Sequence, residues 1–522
     1  MLRAYIGVVA LAGRLTAASE LSWDPPSLVP KDANYELVSN SSGIVPCDAL
    51  REAGLGDRLL FATDAGYEPQ IQSWYSENAR LRPSCLVLPH NTEEVATALT
   101  ALVKANNGGG DWHIAVRSGG HGFPGSNNIA NGVTIDLTMM NSSTYDPETK
   151  LAKIQPGGRW RNVYADLQEA GVVVTGGRDG DVGVGGFLLG GGNSFFSGRV
   201  GFGCDTVKNF EVVLANGTVI NANSTANSDL WRALKGGSSN YGIVTRYDIE
   251  AFPTRDLYYE KRTMRLNYSD SVIDAVVGYA NQDQSFADNA FFTFWSHNAS
   301  IIPETLVSTI YVNTQGDGNA TSAFDKVRSL PALSKAATVQ NMAEAANGAQ
   351  LVGGTKNVGT TLTFRNNPQI LRQTVELHED FIKRLSNLID PKKFTTMVFF
   401  QPIPSYMATI AQQKGGNMLG LESLGGNAIM FTAGVAVNSD DKDLAIAKAE
   451  VAMLTAQVKE ISKSLNGDLD FIYLNYAESI QDPLATYGAE NIQHMRDVAA
   501  KYDPTEVFQK RIPGGFKISR VA

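Results

Sequence analysis

The run Arg117-Ser118-Gly119-Gly120-His121-Gly122 decides how the rest of the chain is read. It follows a β-rich stretch at 112–116 and sets glycines on both sides of a single histidine. Glycines clustered in this way mean backbone that comes close to something, or that turns through φ values other residues avoid. A phosphate group is the usual partner. Gly120, Gly122 and Gly125 satisfy G-x-G-x-x-G, but Pro124 and Asn127-Asn128 lead into another strand rather than a helix. The run therefore opens no helix, and a Rossmann unit is rejected. What remains is a strand end whose free N–H groups point inward as an anion nest, able to hold a pyrophosphate without a helix dipole. His121 lies inside it. A lone histidine is more often a core or solvent imidazole, yet the absence of bulk around this one shifts it toward function.

Outward from the loop, the chain from about 81 to 255 alternates short β-rich runs with single helices. Asn91 and Glu94 form a capping box, after which Val95, Ala98, Leu99, Leu102 and Val103 repeat on one helical face. Strands are expected at 112–116 and 133–137. A helix over 160–170 ends at Gly171, and a short strand at 172–174 leads into the densest glycine cluster, 12 glycines in the 28 residues from 176 to 203. From 256 to 455 the texture changes to aromatic-rich strands at 291–296, 306–312, 395–401 and 428–435, with a long helix over 368–388. That pattern predicts an antiparallel sheet backed by helices, a substrate domain beside the first unit. A helix from 439 to about 465, a strand at 471–476 and a helix over 489–502 carry the chain back to the first unit, so 456–522 reads as a returning C-terminal segment. The fold class is α+β, with residues 19–80 as an N-terminal segment.

The 522 residues are 43% hydrophobic and 19% charged, a folded composition that excludes disorder and coiled coil. Lys plus Arg number 44 against 53 Asp plus Glu, and the net charge of −9 leaves no basic surplus to hold nucleic acid. Three cysteines and six histidines, none in CxxC, HxxxH or HExxH spacing, give a metal site almost nothing to build with. Residues 1–18 carry Arg3, an apolar run and small residues, the pattern of a secretory signal. Sequons at Asn40, Asn141, Asn216, Asn223, Asn267, Asn298 and Asn319 agree with a secreted or secretory-lumen protein. No other stretch approaches the ~18 to 20 apolar residues of a membrane span, so no membrane partner is expected for the mature form. In that oxidising setting Cys47 and Cys85 are expected to pair, leaving Cys204 as a buried thiol.

These residues resemble a family. The 117–122 loop, Gly183-Val184-Gly185-Gly186 with Gly190-Gly191-Gly192, Cys204-Asp205, Leu234-Lys235-Gly236-Gly237, Tyr241-Gly242-Ile243-Val244-Thr245 and Tyr473-Leu474-Asn475-Tyr476 are similar to the berberine-bridge-enzyme-like branch of the FAD-linked oxidases. The resemblance implies a PCMH-type FAD-binding domain over 81–255 and FAD as cofactor. It implies cofactor contacts from Arg117, Ser118, Gly119, Gly120, His121, Gly122, Val182, Gly183, Gly185, Gly186, Gly190, Gly242, Val244, Asn475 and Tyr476. His121 would be bonded through a ring nitrogen to the flavin 8α-methyl carbon, and Tyr476 would act as catalytic base if a nearby cation or donor favours its phenolate. The strand at 471–476 would point Asn475 to the opposite face from its neighbours. The family's second tether, a cysteine before the Val-Gly-Val-Gly-Gly stretch, is replaced by Asp179, so a single covalent bond is expected. Its loss implies a weaker oxidant and a less open site. The implied activity is oxidation of a small secondary-metabolite-type molecule by hydride transfer to flavin N5, with dioxygen as acceptor. The alternatives are a sugar or oligosaccharide oxidase of the same fold and a flavin-containing non-redox cyclase.

Overall fold

The computed structural model describes residues 41–319, 324–351 and 353–522; the leader read at 1–18 and the sequon at Asn40 lie outside them. Strands His113–Arg117 and Gly132–Asp136 run parallel, with Ile114 opposite Val133 and Val116 opposite Ile135. Cys85–Val87 joins the other side in parallel and Leu59–Leu60 closes the edge antiparallel. Every residue of Gly132–Asp136 is buried, as a central strand covered on both faces requires. Helix Thr92–Lys104 covers this sheet with Val95, Ala98, Leu99 and Leu102 inward, and the Asn91 side chain caps it by accepting from the Glu94 N–H at 2.8 Å. Cys47 and Cys85 are joined by a disulfide, and Cys204 is a buried free thiol.

A second, five-stranded antiparallel sheet has the order Ser143–Asp146, Leu151–Ile154, Ile243–Glu250, Val207–Val213, Val219–Asn223. The third sheet starts at Leu257 and contains eight antiparallel strands, with Asn289–Asn298, Phe394–Ile403 and Ala428–Val437 at its centre. Period-2 alternation gives it two apolar faces. Trp295, Val398, Phe400, Phe431 and Val435 pack under helices Ser269–Ala280, Pro368–Leu388 and Asp441–Ser464. Phe292, Phe294, Met397, Phe399 and Met430 point the other way, into the core shared with the five-stranded sheet. The result is the mixed α+β architecture expected, an antiparallel sheet backed by helices.

One element differs from expectation. Residues 471–476 are not a strand: Leu474–Tyr476 is a 3₁₀ turn closed by the Tyr476 N–H donating to the Tyr473 carbonyl at 3.0 Å, and the sheet gains only Asp468–Leu469 here. The expected alternation of Asn475 against its neighbours therefore does not apply. The chain then returns through helix Ala489–Tyr502, whose Lys501 and Tyr502 bond Asp229 on helix Ser228–Leu234 at 2.6 and 2.8 Å. No helix among the described residues is long and apolar enough to cross a membrane, and no metal-holding cluster occurs among them.

His378, fully buried on helix Pro368–Leu388, shares Nε2 with Thr396 Oγ1 at 2.9 Å, while its Nδ1 has no partner among the described residues. Burial, with a lesser push from His297, lowers its pKa from 6.5 to about 3. The unfolded chain binds that proton near the ordinary value and the folded chain does not, so stability is full above about pH 6.5 and falls as pH drops toward 3. His378→Gln should flatten the loss of urea midpoint between pH 6.5 and 4. Parallel wild-type and variant curves would place the titration elsewhere.

Candidate active site

A cavity of about 410 Å³ is lined on one side by the 118–122 and 182–186 loops and on the other by the front face of the eight-stranded sheet. The two loops meet backbone to backbone. A Cβ on Gly119 would lie 2.4 Å from the Gly183 nitrogen, and one on Gly183 would lie 2.3 Å from the Gly119 nitrogen. Ser118 Oγ fastens the junction, donating to the Pro156 carbonyl at 2.5 Å and accepting from the Gly185 N–H at 3.0 Å. Beyond it, the backbone N–H groups of Gly119, Gly120, His121 and Gly122 have no hydrogen-bond acceptor among the described residues, although all four residues line the cavity. Four adjacent donors without a protein partner are an anion cradle.

Val182, Gly183, Gly185, Gly186, Gly242, Val244, Asn475 and Tyr476 also line the cavity; Arg117 and Gly190 do not. Strand alternation puts Val116 and Ser118 on the cavity side and turns Arg117 inward, where it pairs with Asp136 at 2.9 Å and lies 3.5 Å over the Trp74 ring. Arg117 braces the loop from beneath. At Gly190 the reason for glycine is room for Asn475, whose Oδ1 would be 1.6 Å from an added Cβ. Asn475 is fixed there by donating to the Phe187 carbonyl at 3.0 Å.

His121 is largely buried and stacks on Tyr75, ring centroids 4.6 Å apart and 19° from parallel. Its Nε2 lies 3.0 Å from Asp181 Oδ2, and burial pushes its pKa down. The same carboxylate accepts from Arg161 Nη1 at 2.8 Å and sits 3.1 Å from Arg159 Nη1. Burial alone would raise Asp181, but His121, Arg159 and Arg161 outweigh it and hold the carboxyl at about 2. Asp179 accepts from the Asp181 and Leu351 N–H groups at 2.8 and 3.2 Å, and burial pushes its carboxyl up.

Across the cavity, Arg178 Nη2 donates to the Tyr476 hydroxyl oxygen at 2.7 Å, with its guanidinium 4.8 Å over the Phe292 ring. Tyr476 stands edge-on to Phe399 and Tyr473. Met397, Gly434 and Gly359 form one row across three strands, a stretch of cavity wall with little side chain, and the neighbouring Thr432 Oγ1 has no partner among the described residues. Arg178 and Asp181 are the candidate site residues that sequence reasoning does not reach. The signal for both was present in Gly177-Arg178-Asp179-Gly180-Asp181, three charges inside a glycine-rich loop otherwise poor in charge.

Residues 83–223 match the family model described as an FAD binding domain. The chain is 33% identical over 519 residues to FAD-dependent monooxygenase drtC of Aspergillus calidoustus, covering 99% of this chain and 96% of that protein. It is 34% identical over 477 residues to FAD-dependent monooxygenase sdcF of Emericella nidulans, covering 91% and 98%. Among solved structures, berberine bridge enzyme from Eschscholzia californica matches with a TM-score of 0.72 at 17% identity, over 89% of this chain and 97% of that one. A chitooligosaccharide oxidase matches with a TM-score of 0.71 at 17% identity, over 91% and 99%. At such identity these two likenesses speak to the fold alone.

The loop junction has no room for a methyl group. Gly119→Ala should part the loops, cost about 2 to 3 kcal/mol of stability and yield protein with markedly less bound flavin. A variant with wild-type urea midpoint and wild-type 450 nm absorbance would show that the loops have slack.

Proposed function

The chain belongs to the family of the FAD-dependent monooxygenases drtC and sdcF, and on that footing we propose that it is an oxidoreductase of the berberine-bridge-enzyme-like type that oxidises a small organic molecule, with FAD tethered once, at His121, and Tyr476 as the base. The observation that carries this reading is the Arg178–Tyr476 contact of 2.7 Å in the cavity wall. FAD is the cofactor, and the residues fit it. The unpartnered N–H groups from Gly119 to Gly122 suit its pyrophosphate, and His121 lies beside them in the same wall. When bound, the flavin supplies the two-electron acceptor for a hydride leaving the substrate.

Tyr476 takes the proton that must leave with that hydride. The Arg178 guanidinium donates to the Tyr476 oxygen and so fixes the hydroxyl in the cavity wall, and Phe292 beneath it keeps the cation in place. Asn475 holds the turn against the 187–193 segment, so the hydroxyl at 476 has a fixed position. The sheet wall, with Met397, Phe399 and the bare Gly359–Gly434 row, favours an apolar ring system over an oligosaccharide. The disulfide and the exposed asparagines at 141, 216, 267 and 319 support passage through a secretory compartment.

The relatives are named monooxygenases, which supports dioxygen as co-substrate and favours a second reading in which one oxygen atom enters the product. Turnover under ¹⁸O₂ separates the two: label in hydrogen peroxide alone marks an oxidase, label in product marks oxygen insertion. A non-redox cyclase would leave the 450 nm band unbleached by substrate under anaerobic conditions. On a denaturing gel, flavin fluorescence should follow the wild-type band and vanish in His121→Ala. Tyr476→Phe should slow anaerobic flavin reduction about 10²-fold or more. An unchanged reduction rate would remove Tyr476 from the role of base.

A further inference from the structure

Two features of the His121 environment exceed what holding a cofactor requires. One is the carboxylate on its far nitrogen, 3.0 Å from Nε2, fixed by two arginines and kept ionised. The other is the near nitrogen: Nδ1 has no hydrogen-bond partner among the described residues, while the ring is clamped flat against Tyr75 in the cavity wall. A carboxylate acceptor places the single proton of a neutral imidazole on Nε2 and leaves the lone pair on Nδ1. Lowering of the imidazole's basicity by burial keeps that ring neutral at physiological pH.

We propose that Asp181 is the positioning residue for the bond between His121 and the cofactor, orienting the His121 ring so that Nδ1 is the nitrogen that bonds. The proposal rests on the covalent reading of His121 given above. The step balances with dioxygen as oxidant. One C–H bond of the flavin methyl group and the N–H bond of His121 break, and one C–N bond forms. Two electrons and two protons pass to dioxygen, giving one hydrogen peroxide. As Nδ1 forms its bond the ring gains positive charge, which Asp181 stabilises across the Nε2–H while that proton departs. Arg159 and Arg161 keep the carboxylate in place and ionised. The arrangement has the logic of a nucleophile oriented through its far nitrogen by a buried acid.

The test reads attachment rather than turnover. Full-length wild type, Asp181→Ala, Asp181→Asn and His121→Ala are purified with their flavin, precipitated with acid, and the flavin left on the protein is measured by absorbance and intact mass. Wild type should keep essentially all of it, and the two Asp181 variants should keep less than about a tenth while still carrying yellow, acid-releasable FAD in the native state. Incubating the Asp181→Ala holoprotein in air with sodium formate should restore attachment, a rescue that lost packing alone would not give. Attachment at the wild-type extent in both Asp181 variants would overturn the role of Asp181 and leave the tether standing. Acid-resistant flavin in His121→Ala, or none in wild type, would overturn the tether itself. Should Asp181→Ala fail to fold, the near-isosteric Asp181→Asn, checked by its urea midpoint, carries the same comparison.

Discussion

Two backbones touch where Gly119 meets Gly183, and no pair of residues with side chains could stand there, since either Cβ would fall within 2.4 Å of the opposite nitrogen. That contact sets the distance between the two loops that line the cavity. His121 lies two residues past it on one loop and Asp181 two residues before it on the other, so the 3.0 Å His121–Asp181 contact follows from the glycine junction. The cradle of free N–H groups begins at the same point. Histidine orientation and loop spacing are thus one geometric fact.

Facing this junction, the eight-stranded sheet contributes surface rather than chemistry. Its back face is spent on three helices, and its front face gives Met397 and Phe399 to the cavity, with Phe292 packed against Phe399. The charged chemistry comes from elsewhere: Arg178 from the second glycine cluster and Tyr476 from the turn after the last short strand, 298 residues apart in sequence. Phe292 supports the pair by offering its ring to the guanidinium.

Much of this was legible in the chain. Asn91 and Glu94 announced a helix start that the cap bond confirms, and alternation in 291–296 and 428–435 marked strands that the sheet extends by two residues at both ends of the first and at the C-terminal end of the second. The 117–122 run announced a loop at close approach, which Gly119 makes against the Gly183 backbone, because glycine density reports close approach directly. The illegible parts share one physical cause, that a side chain's role depends on what tertiary packing brings to it. The aromatic stretch at 471–476 reads as strand by composition, but Tyr476 finds its backbone partner three residues back at Tyr473 rather than across a ladder. Arg117 belongs to the cofactor loop in sequence and to the interior in space, because Asp136 sits opposite it in the parallel register. Glycine itself is ambiguous: Gly119 answers to a backbone, Gly190 to the amide of Asn475.

The tail that finishes the cavity carries a consequence for biosynthesis. Phe508, Ile512 and Phe516 line the cofactor cavity, Asn240 accepts Gln509 and donates to the Phe516 carbonyl, and Arg511 reaches the Gly110 carbonyl, 401 residues upstream. At ribosomal speeds of about 5–20 residues per second, roughly 20 to 80 s separate synthesis of the glycine loop from synthesis of its cover. The cavity is therefore complete only once residues 508–516 have been made, and until then its apolar wall faces the solvent. A ligand that fills the completed cavity stabilises the folded chain by mass action, so residues 508–516 tie cofactor binding to stability.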